Sequence, residues 1–169
     1  MFFLLIHTLY FGFGQPFHNL WAEKVGGYDG HTTAIEGVLD SDGNLCVVGN
    51  FESQQIELDG TNHTNAGLTD IFVAKYNSAG AVLWSKRIGA SLIDKVTGIC
   101  VDADNNILIT GSFESQELYF DSYLVETNGG SDIFVAKLNS SGIVQWAEGI
   151  GGNLNEYAKD IESKSDGDF

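Results

Sequence analysis

Asp70-Ile71-Phe72-Val73-Ala74-Lys75 returns 62 residues later as Asp132-Ile133-Phe134-Val135-Ala136-Lys137. Six identical residues in a row, two of them charged, do not recur by chance in a chain of 169. The chain is built from repeats, and the repeat decides how everything else is read. Working outward, three tryptophans open matching phrases. These are Trp21-Ala22-Glu23-Lys24-Val25-Gly26-Gly27, Trp84-Ser85-Lys86-Arg87-Ile88-Gly89-Ala90 and Trp146-Ala147-Glu148-Gly149-Ile150-Gly151-Gly152. Asp40-Ser41-Asp42-Gly43-Asn44 has its copy in Asp102-Ala103-Asp104-Asn105-Asn106. Gly49-Asn50-Phe51-Glu52-Ser53-Gln54 has its copy in Gly111-Ser112-Phe113-Glu114-Ser115-Gln116. A third unit opens at Trp146 and reaches Asp166-Gly167-Asp168.

Each unit reads as antiparallel β structure. Thr33 to Leu39 and Leu45 to Phe51 are strands across Asp42-Gly43, because tight hairpin turns need positive φ, which Gly and Asn tolerate. Asp70 to Tyr76 and Ala81 to Ile88 pair across Asn77-Ser78-Ala79-Gly80, and Asn139-Ser140-Ser141-Gly142 repeats that turn. A short strand, Gln55 to Leu58, is expected in the link. Ile71-Phe72-Val73-Ala74, Cys46-Val47-Val48 and Ile107-Leu108-Ile109 are apolar on both parities, the mark of strands covered on both faces. Val82, Trp84 and Ile88 share one parity and Ser85 and Arg87 the other, so that strand is expected to be half exposed. Buried inner strands with a more exposed outer strand describe a propeller blade stacked against its neighbours.

Composition narrows the function classes. Lys plus Arg total 8 against 23 Asp plus Glu, a net charge of −15 that repels phosphate backbones and excludes nucleic acid as a partner. Cys46 and Cys100 lie in apolar runs at non-equivalent repeat positions and read as two buried thiols; a disulfide between them is the sharper alternative, which the presence of two cysteines does not by itself establish. Met1 to Phe13 is mostly apolar and too short to span a bilayer. With Gly12 and Gly14 as small residues before a cut, it reads as a secretory signal cleaved near Gly14. No Lys or Arg precedes Trp21, and His7 and Thr8 interrupt the run, so Met1 need not be the true start. No cysteine follows the signal, which excludes a lipoprotein anchor.

The phrases Trp-x-x-x-Ile-Gly-Gly, Asp-x-Asp-Gly-Asn, Gly-x-Phe and Gly-x-x-Asp-Ile-Phe-Val-Ala-Lys resemble the bacterial β-propeller repeat family of the SBBP type. The resemblance covers Trp21 to Phe169, with departures at Ala90 and Asn105. It implies antiparallel four-stranded blades in a partial, all-β propeller of about two and a half repeats of ~62 residues. It also implies a large secreted or surface protein of many units, of which this chain would be the N-terminal fragment. The expected organisation is a signal peptide at 1–14, a linker at 15–20, repeats at 21–83 and 84–145, and a partial third repeat at 146–169. A closed propeller takes 4 to 8 blades. The fragment alone is therefore expected to be marginal or to self-associate. Its open face would lie at Ile71, Phe72 and Val73, unless the N-terminal segment folds over them.

The chemistry is sparse. Asp40, Asp42 and Asn44, with Asp102, Asp104 and Asn106, place oxygens at alternate positions like the front of a calcium loop. The carboxylate needed at position 12 falls on Phe51 and Phe113, which cannot ligate, and the bland reading is a hairpin turn. His7, His18, His31 and His63 lack repeat partners and metal-ligand spacing. Glu52 and Glu114 recur once per unit and read as strand-end residues, the glycine pairs precede no helix, and the tryptophans read as blade packing. No Gly-x-Ser-x-Gly elbow occurs, although that does not exclude Ser-His-Asp catalysis. No catalytic residue and no cofactor is assigned. The expected function is a non-catalytic extracellular scaffold or adhesion module. Its partners would be a protein or glycan and further blades, with no membrane span. The alternative is a fragment of a secreted propeller enzyme, for example a carbohydrate-active one, whose catalytic residues lie outside this chain. An enzyme should break the repeat with unique His, Glu or Arg at blade mouths.

Overall fold

The computed structural model describes residues 26–27, 29–58 and 60–163. The expected signal peptide, the linker, Trp21 and Asp166-Gly167-Asp168 lie outside the described residues. The strands, in chain order, are β1 (Gly26–Gly27), β2 (Thr32–Leu39), β3 (Leu45–Phe51), β4 (Gln55–Leu58), β5 (Thr61–Thr64), β6 (Asp70–Tyr76) and β7 (Val82–Ile88). They continue as β8 (Asp94–Val101), β9 (Ile107–Phe113), β10 (Glu117–Phe120), β11 (Tyr123–Glu126), β12 (Asp132–Leu138) and β13 (Val144–Ile150). Among the described residues there is no helix. Two antiparallel four-stranded sheets, β2-β3-β6-β7 and β8-β9-β12-β13, are the two blades. The first blade ends with the strand that carries Trp84, so the sheets fall one strand later than the Trp-to-Trp units.

The blades repeat in detail. Bulges fall between Ala34 and Glu36 and again between Val96 and Gly98. Another pair falls at Lys75/Tyr76 and Lys137/Leu138. The hairpin turn takes positive φ at Gly43 in the first blade and at Asn105 in the second, Asn being the side chain best suited to replace Gly there. Gly49 and Gly111 are obligatory. A Cβ on Gly49 would strike the Thr33 carbonyl and the Phe72 ring, and one on Gly111 the Lys95 carbonyl and the Phe134 ring. Each glycine lets the phenylalanine of the repeated hexapeptide lie flat on the neighbouring strand.

The inner strands β2 and β8 lie against each other, while the hairpin β10-β11 sits between the outer strands β7 and β13. That wedge fans the blades as in a propeller. Leu118, Phe120 and Val125 from the hairpin join Phe113, Phe134 and Leu138 of the second blade and Cys46, Ile71, Val73 and Ile88 of the first in one core. Phe134 packs against Phe120 at 5.1 Å and edge-on against Phe113 at 6.5 Å between ring centroids. The opposite face of the first blade buries Phe72, Ala74 and Tyr76 with Ile56 and Leu58 of β4.

The expected open face is corrected here. Ile71, Phe72 and Val73 are fully buried. The face left open belongs to the second blade, where Ile150 is 54% exposed although its counterpart Ile88 is 2% exposed. Residues 155–163 run over part of that blade. The parallel bridge Ser131–Asn155 copies Thr69–Ile93. Ser112 Oγ accepts from Ala158 N at 3.1 Å just as Asn50 Oδ1 accepts from Val96 N at 2.9 Å, 62 residues earlier.

Candidate functional site

The repeated charges come first, because they were the strongest chemical signal in the sequence. Asp40 Oδ1 accepts from the backbone N–H groups of Asp42 (3.0 Å) and Asn44 (2.8 Å). Its Oδ2 accepts from Asn44 Nδ2 and from Lys75 Nζ at 2.8 Å. Asp102 repeats this with Asp104, Asn106 and Lys137, the last also at 2.8 Å. The first Asp of the turn is therefore the partner of the hexapeptide's Lys, and the two most repeated phrases hold each other. Burial pushes both carboxyls up, but hydrogen bonds from the lysine and asparagine outweigh it. Asp40 ends below the usual carboxylate range and Asp102 is lowered to about 2.

The remaining candidate ligands are dispersed. Asp42 accepts from Asn105 Nδ2 at 3.3 Å, which joins the turns of the two blades, and Asp104 is exposed. Phe51 and Phe113, at the twelfth positions, are buried in the core. Among the described residues no group of three or more His, Cys, Asp or Glu is arranged to hold a metal ion.

At the other end of each blade the hexapeptide's Asp organises the loop that leads into its strand. Asp70 accepts from Ala66 N at 2.8 Å and from Arg87 Nη1 at 2.7 Å; Asp132 accepts from Asn128 N at 2.8 Å. Gly89 and Gly151 lie against these carboxylates, where any side chain would collide, which explains the glycine after Ile88 and Ile150. Asp94 is fully buried and accepts from Ala90 N and Ser115 Oγ. Its carboxyl is raised by burial, against those hydrogen bonds.

The residues that vary between repeats gather elsewhere. A cleft of about 370 Å³ opens between β2 and β8, walled by the variable His31, Thr33 and Ile35 with the repeated Glu52 on one side and Lys95 and Thr97 on the other. The hydroxyl of Thr97 is buried there without a hydrogen-bond partner. Ile93, Lys95 and Thr97 stand in the second repeat where His31, Thr33 and Ile35 stand in the first. Both cysteines are free and buried, and burial pushes each thiol up to about 11, so neither is a ready nucleophile.

One polar cluster was missed by sequence reasoning. His63 Nε2 and Ser85 Oγ lie 2.8 Å apart, on β5 and β7. Burial, and then the charge of Arg87, hold His63 below its ordinary value, which favours the neutral imidazole. The second repeat has Val125, Ala147 and Gly149 at the places of His63, Ser85 and Arg87, with Val125 packed on Gly149. The signal was present as three breaks in one repeat, but only the fold shows that they meet.

Residues 83–112 match the family model described as a beta-propeller repeat, SBBP. The match runs from the outer strand of the first blade into the inner strands of the second. A curated relative, an uncharacterised WD repeat-containing protein of Acanthamoeba polyphaga mimivirus, is 29% identical over 159 residues. That alignment covers 81% of this chain and 11% of the relative, so the chain spans about a tenth of the length of the protein it matches. Two four-stranded blades share one phrase, and across their junction residues 83–112 are similar to the SBBP beta-propeller repeat.

Proposed function

We propose that the chain is a non-catalytic, extracellular β-propeller scaffold whose inner-strand cleft receives a protein or glycan. The observation that carries the reading is a division of labour between repeated and unrepeated residues. The repeated Asp40, Asp70, Asp102, Lys75 and Lys137 are consumed in turns and ion pairs that hold the blades. The cleft is walled instead mostly by residues that change from one repeat to the next, the repeated Glu52 being the exception. A constant frame under a variable surface suits recognition.

The test has two arms. Purified protein retained saturably on an immobilised glycan panel, or on the exterior of cells, should lose that retention on Lys95→Glu. Retention unchanged by Lys95→Glu would remove the cleft from the proposal. A second reading, an enzyme, has the His63–Ser85 contact in its favour, because a neutral imidazole beside a hydroxyl can act as its base. A fluorophosphonate should leave Ser85 unlabelled. A stoichiometric adduct on Ser85 that disappears in His63→Ala would overturn the non-catalytic reading.

A further inference from the structure

The cations of the chain divide into two groups. Lys75, Lys86, Arg87 and Lys137 each pair with an aspartate at 2.5–2.8 Å, whereas Lys95 and Lys159 have no ion pair among the described residues. Lys95 is exposed and walls the cleft between β2 and β8, where Glu52 on the opposite wall does not pair with it. The first repeat has Thr33 at its place, so the blade frame does not require a lysine there. Thr97 adds a second unspent group. It is the extra residue of the β8 bulge, between Val96, which pairs with Gly111, and Gly98, which pairs with Thr110. Ile35 is the extra residue of the matching bulge in β2. A bulge re-aims the side chain it carries, and both of these line the cleft. The bulge is repeated while its side chain changes, from the apolar Ile35 to Thr97, whose hydroxyl is buried without a hydrogen-bond partner.

We infer that this cleft takes a sugar bearing a single carboxylate, a uronic acid at the end of a short glycan, with Lys95 Nζ donating to the carboxylate and Thr97 Oγ partnering a ring hydroxyl. The inference rests on the reading of the cleft as a recognition site and narrows its ligand. An unpaired ammonium calls for an anion, to which its hydrogen bond is charge-assisted. A hydroxyl that both donates and accepts is matched by another hydroxyl. Ile35, 42% exposed, offers a surface to the apolar face of a ring. At about 370 Å³ the cleft is at the small end of small-ligand sites, roughly 300–1,000 Å³, which suits a mono- or disaccharide rather than the broad face of a folded partner. The net charge of −15 limits the anion in turn. A polyanion would meet the field of the whole acidic surface. A single carboxylate beside Lys95 is screened from charges more than about 8 Å away at physiological salt. Glu52 repels it from the opposite wall and so holds it on the Lys95 side.

The experiment titrates the full chain with three probes, read by ligand-observed NMR. They are methyl glucuronide, methyl glucoside, in which a hydroxymethyl group replaces the carboxylate, and N-acetylglutamate amide, a carboxylate without a sugar ring. The expected result is saturable binding of the glucuronide, with the other two weaker by about ten- to a hundredfold. Lys95→Met should weaken the glucuronide by the same factor, and Thr97→Val should weaken both sugars. The comparison of probes on the unaltered protein keeps the test sharp even if a variant fails to fold. Equal binding of glucuronide and glucoside overturns the acidic sugar while the cleft remains a glycan site. A glutamate derivative that binds as tightly as the glucuronide overturns the sugar. No binding of any probe up to about 10 mM overturns the inference. If retention on the glycan panel or on cells still depends on Lys95, the recognition reading survives that failure; if it does not, both fall.

Discussion

Asp70–Lys75 and Asp132–Lys137 are the same six residues in the same strand position of two blades with matching strand order and register, yet they are not buried alike. Along β6 every residue is buried; along β12 buried and half-buried residues alternate. The first copy is covered on one face by β4 and on the other by the second blade. The second is covered fully only on the face toward the first blade. Identical chemistry thus contributes differently to stability, because the free energy of an apolar side chain depends on the surface that covers it.

The largest separation of the two copies should come from their lysines. Lys75 is 4% exposed, pairs with a fully buried Asp40 side chain and also donates to Ser140 O across the blade junction. Lys75→Met strands a buried carboxylate and should cost about 3–5 kcal/mol in urea unfolding. Lys137 is 19% exposed, so water can reach its partner, and Lys137→Met should cost no more than about half of that. Equal losses would mean that the two ion pairs are equally desolvated.

Next come the isoleucines. Ile71→Ala should cost about 2–5 kcal/mol, because Ile71 is fully buried in the inter-blade core. Ile133→Ala, at the matching place on the open face, should cost less than about 1 kcal/mol. A large loss at Ile133 would show that something covers the second blade in solution.

The smallest effect is the acid response. Asp102 is lowered to about 2 from an ordinary 3.8. A carboxyl whose folded value is depressed stabilises the fold above the ordinary value and loses that contribution as pH falls through about 2. The urea midpoint should therefore drop between these values. Asp102→Asn should flatten the drop while lowering the midpoint at neutral pH. A variant with an unchanged slope would place the acid sensitivity elsewhere, Asp40 being the next group to replace.

Much of the blade was legible in the sequence. The strands Leu45–Phe51, Gln55–Leu58 and Asp70–Tyr76 coincide with the expected ones, and the turn at Gly43 and Asn105 follows from the residues that tolerate positive φ. The strands Thr61–Thr64 and Tyr123–Glu126 were not read, because Thr-Asn-His-Thr carries no alternation of apolar and polar residues. Of the site, the turn carboxylates were visible, but their lysine partners were not, since an ion pair between residues 40 and 75 has no local signature.

The sequence by itself determined the unit: its period, its strands, its turns and its β class, all set by chain-local rules of side-chain alternation and backbone φ. Tertiary structure alone decided which copy of each residue is buried, which repeated charges are spent on the frame, and that His63 meets Ser85. Burial and pairing are properties of neighbours brought together by stacking, and two identical hexapeptides hold no record of which one will have a neighbour on both sides.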